Sequence, residues 1–215
     1  MKPTHNAIST EGQKIFSTTF DTIGFFARSI GDLQLLADVF CIEDDRPPER
    51  FSRKDVSVAL LKTPMWSQAG SSTINAMQRT AAILRNHGVR VEEVSLPDDF
   101  GDADTLRRSQ RAITNAEAKV AFLKEYRMDK ANLDASICHL VENKPEHANA
   151  ERMQALDRHV CLRGMFDGIA ASYSAILAPS AADEAPLGLD DMGSPMFNTL
   201  WTASDCFSVM LESCH

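Results

Sequence analysis

Apolar positions fall at helical spacing over Ile30, Leu33, Leu36, Ala37 and Phe40, one face of a helix. Ser29, with Asp32 three positions on, resembles a capping box, so the spacing predicts a helix that opens at Ser29 and buries that stripe. Val56-Ser57-Val58-Ala59-Leu60-Leu61 is a short β-prone run. Ile74, Met77, Ala81 and Leu84 then mark a helix that Gly88 closes in a left-handed conformation. Val89, Val91, Val94 and Leu96 predict a second strand, stopped by Pro97. Strand, helix and strand in this order form a βαβ unit, which requires parallel pairing. Leu106, Ile113, Ala116, Val120 and Leu123 carry a longer helical region. Met153, Leu156, Val160, Phe166, Ile169 and Tyr173 carry another. Ser174-Ala175-Ile176-Leu177-Ala178 is a short strand cut off by Pro179, and Phe197, Leu200 and Trp201 open a final helical turn or two. The order of elements predicts an α/β layered fold.

The polar run Glu43-Asp44-Asp45-Arg46-Pro47-Pro48-Glu49-Arg50 interrupts this pattern. Two prolines among charges neither continue a helix nor enter a core, so the run is expected to be an exposed linker inside one fold. With 215 residues the chain is long enough for a sizeable core. Its net charge of -8 has the wrong sign for a protein that binds by neutralising phosphates, which excludes nucleic acid and acidic membrane surfaces as main partners. No apolar stretch approaches the ~18 residues of a membrane span, and Met1-Lys2-Pro3-Thr4-His5-Asn6 lacks the apolar region of a signal peptide. Cys41, Cys138, Cys161, Cys206 and Cys214 are odd in number and form no Cys-x-x-Cys pair, as expected of reduced thiols in the cytoplasm.

Candidate chemistry is sparse. In Lys62-Thr63-Pro64-Met65-Trp66-Ser67-Gln68-Ala69-Gly70-Ser71-Ser72 a lysine stands near serines it could activate. Helix capping by Ser71 or Ser72 is the simpler reading. This loop follows a strand, where ligands often border parallel sheets, but it has no Gly-rich phosphate fingerprint. His5, His87, His139, His147, His159 and His215 show no His-x-His or His-Glu-x-x-His spacing, so no metal site is expected. Glu142, Glu146, Glu151, Asp183, Glu184, Asp190 and Asp191 could pair as acids and bases, although such clusters are usually solvated surface. Gly-x-Ser-x-Gly and Ser-x-x-Lys are absent. The residues read on their own assign no catalytic, metal or cofactor position.

Two stretches carry a resemblance. Lys2-Pro3-Thr4, Ile8-Ser9-Thr10-Glu11-Gly12 and the run from Phe20-Asp21-Thr22-Ile23-Gly24 through Ala27-Arg28-Ser29-Ile30-Gly31-Asp32 form the first. Ile176-Leu177-Ala178-Pro179-Ser180, Glu184-Ala185-Pro186 and Phe197-Asn198-Thr199-Leu200-Trp201-Thr202-Ala203 form the second. Together they resemble the part of amidase signature enzymes that follows the catalytic signature. Lys62-Thr63-Pro64-Met65-Trp66 fits as well, most like fungal members, and with that resemblance goes the expectation of a secondary-metabolic setting. The resemblance covers residues 2–203 and implies an α/β/α sandwich around a mixed twisted sheet. Gly12 and Gly24 would serve turns, and Arg28 would pair with Asp32 or reach a carbonyl.

Family chemistry, as the resemblance implies it, hydrolyses a carboxylic amide to an acid and ammonia. It uses a serine nucleophile, a second serine with a cis peptide bond, and a lysine that relays the proton. The lysine and the Gly-Gly-Ser segment precede Lys-Pro-Thr in that family, and Lys62, Ser71 and Ser72 do not stand in for them. The expectation is therefore a single, incomplete amidase-like domain over 1–215, truncated and inactive alone, with a divergent tail at 204–215. A small amide substrate is the expected ligand. Self-association, or assembly with an intact amidase as a non-catalytic partner, is the alternative role, because missing strands would leave sheet edges and apolar faces uncovered.

Overall fold

The computed structural model describes residues 1–42, 52–142, 148–191 and 193–203, so the polar run at 43–50 and the tail at 204–215 lie outside the described residues. The run Val58-Ala59-Leu60-Leu61 lies inside β1 (Ser57–Lys62) and is buried throughout. β1 pairs in parallel with β2 (Arg90–Ser95) on one side and with β3 (Ala175–Leu177) on the other, in the order β2-β1-β3. Val58 stands opposite Val91 and Ala175, and Leu60 opposite Glu93 and Leu177. A middle strand needs apolar residues in succession because both of its faces are covered, which is why this segment does not alternate. β2 buries only its valines partly and exposes Glu92 and Glu93, as suits the border of a ladder. The described part of the expected mixed sheet is this parallel ladder, and the α/β architecture stands.

α2 (Ser71–Asn86) joins β1 to β2. Its Met77 and Ala81 pack with Leu60, and Trp66, Val91 and Leu177 close the cluster. Gly88 takes φ +85, the Gly88 N–H donates to Arg85 O (2.9 Å) and the Val89 N–H to Leu84 O (3.1 Å). These two bonds are a Schellman closure, which a side chain at position 88 would strain. At the other end the expectation fails. Gly70, not a serine, is the N-cap, and no side chain caps the helix. The loop at 181–184 occupies that end instead: the Gly70 N–H donates to Ala182 O (2.7 Å), Thr73 Oγ1 to Ala181 O (3.3 Å) and Ser72 Oγ to Glu184 Oε1 (3.2 Å).

The chain divides into two compact units, and two of the divisions fall inside α3 (Ala103–Ala121) and α6 (Asn149–Ala170). The unit just described also contains buried Phe100, Phe166, Phe197 and Leu200, with the Phe166 and Trp201 rings edge to face at 5.7 Å. Trp201 lies on α7 (Thr199–Ala203), after a 3-10 turn at Met196–Asn198. Both elements agree with the predicted final turns.

The other unit holds α1 (Ile30–Val39), α4 (Leu123–Asp129) and α5 (Ala135–Val141). Ser29 Oγ accepts from the Asp32 N–H (3.1 Å), the predicted cap. The predicted buried stripe of α1 is not formed: Leu33 is its one buried residue, while Ile30 and Phe40 are exposed. Val120, Met153 and Val160 are likewise exposed. Gly24 differs from its expected turn role. Its φ is not positive, but a Cβ there would lie 3.1 Å from Met1 O, because Met1 and Phe25 exchange backbone hydrogen bonds at 2.7 and 2.8 Å. Arg28 is exposed and makes neither expected contact among the described residues. Among the described residues no helix is long and apolar enough to cross a membrane.

Candidate functional site

A parallel ladder directs its carboxyl ends to one rim, where loops can border a ligand. Here β1 ends in Lys62-Thr63-Pro64, and β2 runs on through Leu96-Pro97-Asp98 towards Gly101 and Asp102. These residues line an open groove of about 430 Å³. The size lies within the ~300–1,000 Å³ of small-molecule pockets. Thr63 is 3% exposed and its Oγ1 has no hydrogen-bond partner. Asp102 Oδ1 accepts from the Thr105 N–H (2.7 Å), ahead of the first turn of α3.

Lys62, the lysine ahead of the serine-bearing loop, is committed elsewhere. Its Nζ lies 2.7 Å from Glu93 Oε2 across the β1–β2 ladder and 5.9 Å from the centre of the Trp66 ring. The Lys62 hydrogen bond, helped by its charge, holds the Glu93 carboxyl below its ordinary range. Ser72 Oγ points its bond at Glu184. The groove thus holds a compensated charge and a buried hydroxyl, without a lysine–serine pair.

The acidic candidates do not gather at one place. Glu142 accepts from Tyr126 Oη (2.8 Å) and Lys130 Nζ (2.6 Å), tying α4 to the end of α5. Asp183 and Glu184 lie at the N-terminus of α2, where negative charge is favourable. Asp191 Oδ1 accepts from the Gly193 N–H (2.8 Å), and Asp190 is exposed. Glu151 begins α6, while Glu146 lies outside the described residues. His159 meets the Phe20 ring edge-on at 5.2 Å, and His147 and His215 are outside the described residues. Among the described residues no three His, Cys, Asp or Glu gather as a ligand set. Cys41, Cys138 and Cys161 are free thiols, and Cys206 and Cys214 are outside the described residues.

One cluster had no reading in the sequence. Glu117, on α3, accepts from Ser17 Oγ (2.5 Å), the Thr19 N–H (3.0 Å) and Thr19 Oγ1 (2.6 Å). The partners are about a hundred residues apart along the chain, beyond the reach of any periodicity. The polar run Ser17-Thr18-Thr19 ahead of buried Phe20 is the sole local hint.

Comparison with known proteins gives the family and the fold. The chain is 27% identical over 112 residues to a glutamyl-tRNA(Gln) amidotransferase subunit from Chlorobium chlorochromatii (strain CaD3), a match covering 46% of this chain and 24% of that protein. It is 32% identical over 110 residues to the like-named protein from Deinococcus deserti (strain DSM 17065 / CIP 109153 / LMG 22923 / VCD115), covering 46% and 22%. A crystal structure of an amidase superposes with a TM-score of 0.76 at 19% identity, covering 95% of this chain and 48% of that one. The matches therefore span about a quarter of the two amidotransferase proteins and about half of the amidase. A family model described as Amidase matches residues 1–208, and the chain belongs to the amidase family.

Proposed function

We propose that the protein takes part in amidase chemistry, and that these 215 residues supply the portion of the fold that follows the catalytic signature. The family match over residues 1–208 carries this reading. In that chemistry a serine Oγ adds to the carbonyl carbon of a small amide, and backbone N–H groups hold the oxyanion. The C–N bond breaks with release of ammonia, and water cleaves the acyl ester to the acid. The 215 residues contain no Gly-Gly-Ser segment, and Lys62, which precedes the serine-bearing loop at 67–72, is paired with Glu93. By themselves they are therefore expected to be inactive. Purified protein incubated with simple aliphatic and aromatic amides should release no ammonia above a protein-free blank. Release that tracks the protein through purification would overturn this.

A second reading, as a binding or assembly partner of an intact amidase, is favoured by the exposed apolar side chains. Phe26 is 95% exposed, and Leu35 and Val39 are 63% and 67% exposed on α1. Such residues invite association, and self-association is the default when no partner is present. Light scattering of the chain alone and of a mixture with a full-length amidase should show a larger species in at least one sample. A monodisperse monomer in both would remove this reading. A cytoplasmic setting and a fungal-like lineage belong to the same proposal, the first suited to the free thiols and the second to Lys62-Thr63-Pro64-Met65-Trp66.

A further inference from the structure

The Ser17–Glu117 cluster joins a motif-bearing loop to α3 through a titratable group. Ser17 is 1% exposed, and the Phe20 and Asp21 N–H groups both donate to Ser17 O (3.3 and 2.9 Å), so the segment is a closed turn. Asp21 Oδ2 accepts from the Phe16 N–H (2.6 Å) and braces the turn from within. Of the bonds that tie the turn to α3, three end on the Glu117 carboxylate, and each needs an acceptor. Bonds to an ionised acceptor are about twice as strong as neutral ones. Protonation removes the charge that strengthens these bonds; the Ser17 and Thr19 hydroxyls can turn to accept from the new O–H, but the Thr19 N–H cannot reverse and is left on a neutral acceptor.

We propose that Glu117 is a carboxylate latch for the 16–21 turn: ionised, it holds the turn on α3, and protonated, it releases the turn while α3 stays folded. The turn runs into Asp21-Thr22-Ile23-Gly24 and shares Asp21 with it, so the state of the latch sets the order of the first motif block. The direction is fixed by the surroundings. Burial opposes ionisation of Glu117, but the bonds from Ser17, Thr19 and Thr18 outweigh it and hold the carboxyl below the ordinary glutamate range. A lowered acid contributes its stabilisation above the unfolded value and loses it as pH falls through the folded one. The latch is closed at neutral pH and opens in acid. Other charged groups near the turn are Asp21, Lys14 with its partner Glu125 at 2.6 Å, and His159 against Phe20.

Amide hydrogen exchange read by NMR tests the latch, with the Thr19 amide as reporter and amides in the middle of α3 as reference. The Thr19 protection factor should be constant near neutral pH and fall by about ten- to a hundredfold as Glu117 protonates, the size expected for bonds to a charged group. The α3 reference should not follow. In Glu117→Gln the protection should be low already at neutral pH and independent of pH, which separates Glu117 from Asp21 and His159. Should that variant not fold, Thr19→Val keeps the carboxylate and the Thr19 N–H, and must retain the acid-dependent loss. Equal protection in wild type and Glu117→Gln, the same acid loss in both, or simultaneous loss in α3 would each overturn the proposal.

Discussion

Gly70 shows how a single residue is fixed by a neighbour distant in sequence. Its φ of -73 and ψ of 171 suit any residue, so conformational freedom is not the reason for glycine there. A Cβ at this position would lie 1.7 Å from Asp183 Oδ2, 2.3 Å from its Cγ and 2.8 Å from its Cβ. The whole aspartate side chain would have to leave the N-terminus of α2. Gly70→Ala is expected to lower stability by about 1–3 kcal/mol, the usual cost of forcing an added methyl into an occupied space. Urea denaturation would show the loss as a lower midpoint, and Asp183→Gly combined with Gly70→Ala, which removes the Asp183 Cβ as well, should recover most of it. Equal midpoints for wild type and Gly70→Ala would refute the steric account. Lys62 makes the same point for charge. Beside serines in the sequence it suggests catalysis, and in the fold its partner is Glu93 on the neighbouring strand.

Local pattern decided each element as far as its partners were local. The Schellman end of α2 uses backbone groups within six residues of one another, so Gly88 was readable from position alone. The Ser29 cap of α1 spans three residues and was readable for the same reason. The serine cap of α2 was not, because the loop at 181–184 fills that end from far along the chain. Likewise, helical spacing shows which side chains of α1 share a face but not whether another element covers them. β1 is where pattern and packing agree most closely. Leu61, on the middle strand β1, is fully buried, whereas Val94 opposite it on β2 is half-buried. Leu61→Ala should therefore cost about 2–5 kcal/mol. The Val94→Ala loss, measured by the same denaturation, should be clearly smaller, and a reversed order would contradict the placement of β1 in the middle.

At the scale of the molecule, the order of elements and two dispersed motif blocks were enough to indicate an α/β amidase fold, and the family match and the superposed amidase agree. Hydrophobic period, turn residues and motif order are properties of the linear chain, because they follow from backbone geometry repeated over a few residues. The sequence by itself thus determined the βαβ unit, the strand cut by Pro179, the closing helical turns and the family. Tertiary structure alone decided that Lys62 faces Glu93, that Asp183 covers Gly70, that the rim of β1 and β2 opens a groove, and that Glu117 gathers the Ser17 turn. Each of these depends on two segments meeting in space. Hydrogen bonds and charge pairs act over a few ångströms, so their partners are set by the path of the folded chain and leave no periodic trace along it.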